Sequence, residues 1–309
     1  MIEQNISPDF EPVSYCIQGK TIHGLALGKE SSPVVLCLHG WLDNAASFLP
    51  MLGAIKKNDP DCLGKRFIAL DWPGHGLSDH RSQDAHYHFF DYVYDLLQVI
   101  EHNAWQSVDI IGHSMGAMIA NAFSAAFPEK INSLILIDAL GFITAKEEDT
   151  SQQLRAGLLS RIKANQSRAK QNVARTFSKE TAIKARMQVS DLAYHNAQLI
   201  VERSLKQASE QSANHFSWRS DARVRTLSPY RMTLSQAKHL LVDVVCPVLL
   251  LHGDKGMDSV NSALQEFSSL IKHFTEVELS GGHHVHMEQA SGVVSELIDF
   301  WQLKDSNKK

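Results

Sequence analysis

No apolar run in the 309 residues approaches the ~18 needed to cross a bilayer, which argues against a membrane-spanning helix. Cysteine is scarce. The four present, Cys16, Cys37, Cys62 and Cys246, are scattered, with no spacing of metal-binding or redox type. Seventeen glycines and nine prolines are too few for a fibrous or disordered chain. An excess of one charge is missing as well: 30 Lys+Arg stand against 34 Asp+Glu, net −4, which gives no support to a nucleic-acid partner. The opening residues Met1-Ile2-Glu3-Gln4-Asn5 have neither the basic segment nor the apolar stretch of a signal peptide, so a reducing, cytoplasmic setting is expected. No Gly-x-Gly-x-x-Gly opens a helix and no phosphate-loop lysine occurs, so nucleotide binding has no support.

What is present is a core-forming composition, 44% apolar and 21% charged. Short, nearly continuous apolar runs at 34–38, 66–70, 108–111, 134–137, 247–251 and 274–279 read as strands covered on both faces. Helical patterns at 45–57, 88–104, 115–126, 259–271 and 288–303 alternate with them, and 13–28 reads as an antiparallel start turning at Gly19-Lys20. This rhythm predicts an α/β fold, a doubly wound and mostly parallel sheet with flanking helices. Residues 142–236 break it with helical patterns such as Leu192–Leu205 and no clear buried strand. That segment carries 16 Lys/Arg and 8 Asp/Glu, net +8, whereas the rest carries 14 and 26, net −12. The expected organisation is a core of 1–141 and 237–309, with 142–236 inserted after the sixth strand as a helical cap. The charge contrast reads either as plain attraction between the two parts or as a basic cleft that favours an anionic or polar substrate.

Gly112-His113-Ser114-Met115-Gly116 lies between an apolar strand run and a helical run, which is the strand–turn–helix setting of a nucleophile elbow. A sharp turn projects the Ser114 hydroxyl, and the flanking glycines remove Cβ atoms that would collide there. Small residues after it (Ala117, Ala120, Ala122, Ala125, Ala126) let the helix lie close to the sheet. Oxyanion donors are then expected from the main-chain N–H of Met115 and from Trp41 in His39-Gly40-Trp41-Leu42-Asp43-Asn44, with His39 structural beneath the site. In chains with this elbow the acid and then the histidine follow the serine. His283, first after Gly281-Gly282, is the expected base, ahead of His284 and His286. A zinc site of those three histidines is disfavoured, because adjacent side chains point apart. Asp71–Ser78 reads as a glycine-dependent loop packed near the site.

Together Leu38–Asn44, Asp71–Ser78, Gly112–Gly116, Leu134–Asp138 and Gly282–Met287 resemble the serine hydrolase-like proteins of the α/β-hydrolase superfamily. Trp218–Arg223 is similar to a segment of bacterial relatives. The resemblance implies an α/β-hydrolase fold and a cofactor-free Ser–His–acid hydrolase, with Ser114 and His283 as nucleophile and base, but no defined substrate; a small-molecule acyl substrate and no metal are the expectations for the site itself. Many such proteins carry the acid three residues after the glycine ending the seventh strand. From Gly253 that position is Gly256, which has no side chain to serve. Asp138, placed like the carboxylate of some haloalkane dehalogenases, is therefore the first choice, with Asp258 and Asp254 as alternatives. The expected function is cleavage of a carboxylic ester or related acyl bond. A carbon–carbon (diketone) hydrolase with the same triad and a catalytically weak ligand-binding protein are the alternatives.

Overall fold

The apolar runs become the strands of one sheet, and their alternate residues feed two opposite core layers. The computed structural model describes residues 9–170, 176–190, 192–208 and 214–306. Its strands are β1 (Glu11–Ile17), β2 (Lys20–Leu27), β3 (Val34–Leu38), β4 (Arg66–Leu70), β5 (Val108–His113), β6 (Ile131–Ile137), β7 (Leu205–Gln207), β8 (Phe216–Trp218), β9 (Val248–Gly253) and β10 (Phe274–Leu279). Its helices are α1 (Leu49–Asn58), α2 (Phe89–His102), α3 (Met115–Ala126), α4 (Thr150–Lys170), α5 (Lys179–Ser190), α6 (Tyr194–Ser204), α7 (Leu234–Val242), α8 (Ser259–Phe267), α9 (Val285–Glu288) and α10 (Ala290–Ser306).

Eight strands form the main sheet in the order β1-β2-β4-β3-β5-β6-β9-β10, and β2 alone runs against its neighbours. Every residue of β3 and β4 is buried, whereas the edge strands β1 and β10 are partly open. Leu36, Leu38, Ile110, Leu134 and Leu136 point into the layer shared with Leu96, Phe123 and Leu241. Val35, Cys37, Ile111, Ile135 and Ile137 point into the other, against Leu52, Ile55, Leu297 and Trp301. This two-residue alternation gives each helix layer its own apolar face. Cys37, within the 34–38 run, is buried, as are Cys62 and Cys246.

Between β6 and β9 the chain forms α4 to α7 and the short β7–β8 hairpin, whose three-residue strands are too brief to stand out in the sequence. Ala182, Ile183, Ala197, Ile200, Val201 and Phe216 form a third cluster there, joined by Met287 from the main body. Residue 236 falls inside α7, and Ala237 and Leu241 of that helix belong to the main core. In an open parallel sheet, ligand crevices form at the carboxyl ends of the strands. The residues that follow β3, β5, β6 and β10 include Trp41, Ser114, Asp138 and His283.

Candidate active site

Ser114 sits at the corner between β5 and α3, at φ 52° and ψ −115°, a region L-residues rarely occupy. Its N–H donates to the Ile137 carbonyl at 3.0 Å, and its own carbonyl accepts from the Ala117 and Met118 N–H groups. The glycines are sterically required. A Cβ on Gly112 would lie 2.7 Å from the Ala117 nitrogen, and one on Gly116 would overlap the Leu38 carbonyl oxygen. The start of α3 is thereby pressed against the end of β3, which brings Met115 and the Trp41 loop together. Among the described residues neither main-chain N–H, of Trp41 or of Met115, donates a hydrogen bond within the protein.

His283 Nδ1 lies 2.6 Å from Asp138 Oδ2. Asp138 is fully buried at φ 49°, and its carboxylate also accepts the N–H groups of Gly253 (3.3 Å) and Met257 (3.0 Å). Gly256 explains why this carboxylate fits: a Cβ at that position would overlap Asp138 Oδ1. The other two carboxylates do not reach His283. Asp254 accepts the Gly281 N–H at 2.8 Å, and exposed Asp258 heads α8 with no side-chain cap bond. No hydrogen bond joins Ser114 to His283 among the described residues. The two are nonetheless neighbours through His113, whose ring centroid is 4.7 Å from that of His283 and whose Nε2 meets the His283 carbonyl at 2.9 Å.

Beneath this corner lies a charged network that the sequence reading did not anticipate. Buried Asp43 Oδ2 is 3.2 Å from His284 Nε2 and 3.4 Å from His113 Nδ1. Arg186, from α5, donates through Nη2 to Asp43 Oδ1 and stands 3.4 Å from His284 Nε2. One guanidinium thus contacts both the loop that holds Trp41 and the residue after His283. Burial alone would raise the Asp43 carboxyl, but Arg186, with His284 and His113, holds it well below the usual carboxylate range. Burial pushes His113 down to about 4 and His286, which packs on Phe48, well below the usual histidine range. The donor atoms of Asp43, His113 and His284 lie within 4.8 Å of one another, close enough for a cation. The Arg186 charge already compensates the carboxylate there, so the set does not favour a metal.

His39 is buried and satisfied, with Nδ1 2.7 Å from the Gly40 carbonyl and Nε2 accepting the Trp72 N–H at 3.0 Å. Asp71 accepts from the Ala45 and Leu77 N–H groups and forms a buried pair with Arg203 of α6, Nη2 to Oδ2 at 2.8 Å. The Asp71–Ser78 turn is therefore a loop locked from within. Trp218–Arg223 is a clasp: Arg223 donates to the carbonyls of Arg81, Ser82, Gln83 and Ala85 and pairs with Asp221, while the Asp221 N–H reaches Gly74. The Trp41 indole donates to the Val224 carbonyl at 2.9 Å. Arg186–Asp43 and Arg203–Asp71 show part of the basic surplus of 142–236 engaged with acids of the main body.

A profile of the alpha/beta hydrolase fold family matches residues 33–290. The chain belongs to the α/β-hydrolase family. Within it, the chain is 32% identical over 289 residues to a serine hydrolase-like protein of Danio rerio, covering 91% of this chain and 85% of that protein. It is 29% identical to serine hydrolase-like protein 2 of Homo sapiens, covering 90% and 89%. Among solved structures, a hypothetical protein from Pseudomonas aeruginosa PAO1 superposes with a TM-score of 0.81 at 31% identity, covering 93% of this chain and 96% of that one. Among the described residues no helix is long and apolar enough to cross a membrane.

The contacts that tie the helical segment of this α/β-hydrolase to its main body join residues far apart in sequence. Arg186 lies 143 positions from Asp43, and Asp71 lies 132 from Arg203. Periodicity carries no sign of such pairs. The one available signal was the density of His and Asp flanking Trp41 and His283.

Proposed function

We propose that this protein is a serine hydrolase cleaving a carboxylic ester or related acyl bond through a Ser114–His283–Asp138 triad, with residues 142–236 as a cap over the site. The observation that carries the reading is the 2.6 Å contact between His283 Nδ1 and Asp138, beside a serine held at φ 52°. With Nδ1–H donated to Asp138, the imidazole presents an unprotonated Nε2 as base. Ser114 Oγ attacks the acyl carbon as Nε2 takes its proton, and the main-chain N–H groups of Trp41 and Met115 hold the oxyanion. The leaving alcohol takes that proton as the acyl-enzyme forms. A water molecule, deprotonated by the same nitrogen, then releases the acid and restores Ser114. Hydrogen bonds of a triad are often long in the free enzyme and tighten around substrate, so the missing Ser114–His283 bond is compatible with this role.

The glycine at position 256 supports the same reading, since any side chain there would overlap the Asp138 carboxylate. Trp41 and Met257, both about half exposed beside the site, offer apolar surface to the acyl or alcohol part of a substrate. The test is labelling by a fluorophosphonate probe together with turnover on an ester panel that includes a diketone. Ser114→Ala should lose labelling and about 10⁶ in kcat. Equal labelling of the wild type and the variant would overturn the assignment.

A further inference from the structure

The chemistry above leaves α4 unused, and its two sides differ sharply. Toward the body it turns Gln153, Gly157, Ser160 and Arg161. A Cβ on Gly157 would overlap Pro229, and Gln153 Nε2 donates to the Ser228 carbonyl. Ser160 Oγ accepts the Leu227 N–H at 3.1 Å, and Arg161 lies 3.3 Å from the His88 ring nitrogen. The outer side carries Leu154, Leu158 and Ile162 at i, i+4 and i+8, with Leu159 beside them, exposed by 48, 45, 53 and 51%. A solvated helix turns charged and polar residues outward. This one turns out four large aliphatics.

Glu147, Glu148 and Asp149 immediately precede α4, and beyond them the charge is one-sided. From Thr150 to Lys179 the sequence has seven Lys/Arg and no Asp/Glu, in a chain of net charge −4. Exposed Arg155 and Lys163 flank the aliphatic row. Their stems can lie along apolar surface while their charged ends reach outward.

We propose that the outer face of α4 docks the protein on an anionic lipid surface. Leu154, Leu158, Leu159 and Ile162 enter the boundary between headgroups and acyl chains, and Arg155 and Lys163 meet the lipid anions. A second copy of the chain would cover the aliphatics but would bring two acid-free cationic segments together. A nucleic acid would neutralise the cations and leave the aliphatics in water. An anionic lipid surface satisfies both features. The docking does not depend on the hydrolase reading.

The test is co-sedimentation of the full chain with phosphatidylcholine vesicles, with and without phosphatidylserine. Binding to the phosphatidylserine vesicles should be at least about tenfold stronger, since each basic residue near an anionic surface contributes about fivefold. The variant Leu154→Ser/Leu158→Ser/Ile162→Ser should lose that binding while keeping the wild-type thermal transition and Ser114 labelling, because all three side chains are already exposed. Arg155→Glu/Lys163→Glu should keep the fold and lose most of the preference for the anionic vesicles. Equal partition onto both vesicle types, no binding to either, or wild-type binding by the serine variant would overturn the proposal. So would a wild-type dimer in sedimentation equilibrium that the serine variant dissolves, because the face would then belong to a second copy.

Discussion

At the residue scale the decisive detail is a glycine. Gly256 leaves the volume that the Asp138 carboxylate fills, and a side chain at 256 would overlap that carboxylate. Asp138→Asn should reduce kcat on the order of 10⁴, because the amide no longer holds the imidazole in its working tautomer. Asp138→Ala/Gly256→Asp should recover activity over Asp138→Ala, since a side chain at 256 projects into the emptied space. In the wild-type background Gly256→Ala should destabilise by overlap with Asp138. Steady-state kcat/KM and denaturant midpoints check all three, and failure of the double variant to exceed Asp138→Ala would count against a shared position. Gly256 was readable in the sequence as an absence. Its meaning was not, because nothing along the chain says that residue 138 points at residue 256.

At the element scale, α5 is tied to the Trp41 loop and to the loop that holds His283 by one side chain, Arg186. Arg186→Ala leaves the Asp43 carboxylate buried without its main counter-charge, and breaking such a pair costs about 3–5 kcal/mol. We expect a loss of that size by urea titration, with kcat falling as the Trp41 and His283 loops loosen. Adding Asp43→Asn should cost less than the sum of the single changes, because the uncompensated charge disappears. Additive losses would show that the two residues act separately. The helices themselves were largely legible: 115–126 was foreseen as it folds, and 88–104 and 288–303 differ from α2 and α10 only at their ends. The helix expected at 45–57 opens as a tight 3₁₀ turn, Ala45–Phe48, whose Ala46 N–H is capped by Asn44 and whose Ala45 N–H is held by the Asp71 carboxylate from across the fold. Tertiary contact overrode periodicity there.

At the scale of the whole molecule, a set of buried neutral histidines governs stability toward acid. Burial lowers His39, His75 (to about 3), His113 (to about 4) and His286 below the ordinary 6.5. The unfolded chain binds protons at these groups from about pH 6.5 downward, and the folded chain does not. Their contribution is thus intact above pH 6.5 and is lost as pH falls toward 4; for His113 alone it is on the order of 3 kcal/mol. Stability measured by urea at pH 7, 6 and 5 should fall steadily, and His286→Leu should shallow the slope by up to one proton. A flat profile across that range would contradict the buried, neutral state.

The sequence alone determined the alternating α/β order, the serine elbow and the histidine after Gly281-Gly282, because strand and helix periodicity and turn chemistry act over a few neighbouring residues. Tertiary structure decided which carboxylate meets His283, that Arg186 bridges two loops, and that the aliphatics of α4 face outward. Each of these depends on where side chains about a hundred or more positions apart, or a whole helix face, come to rest after the sheet has assembled. No local pattern records that placement.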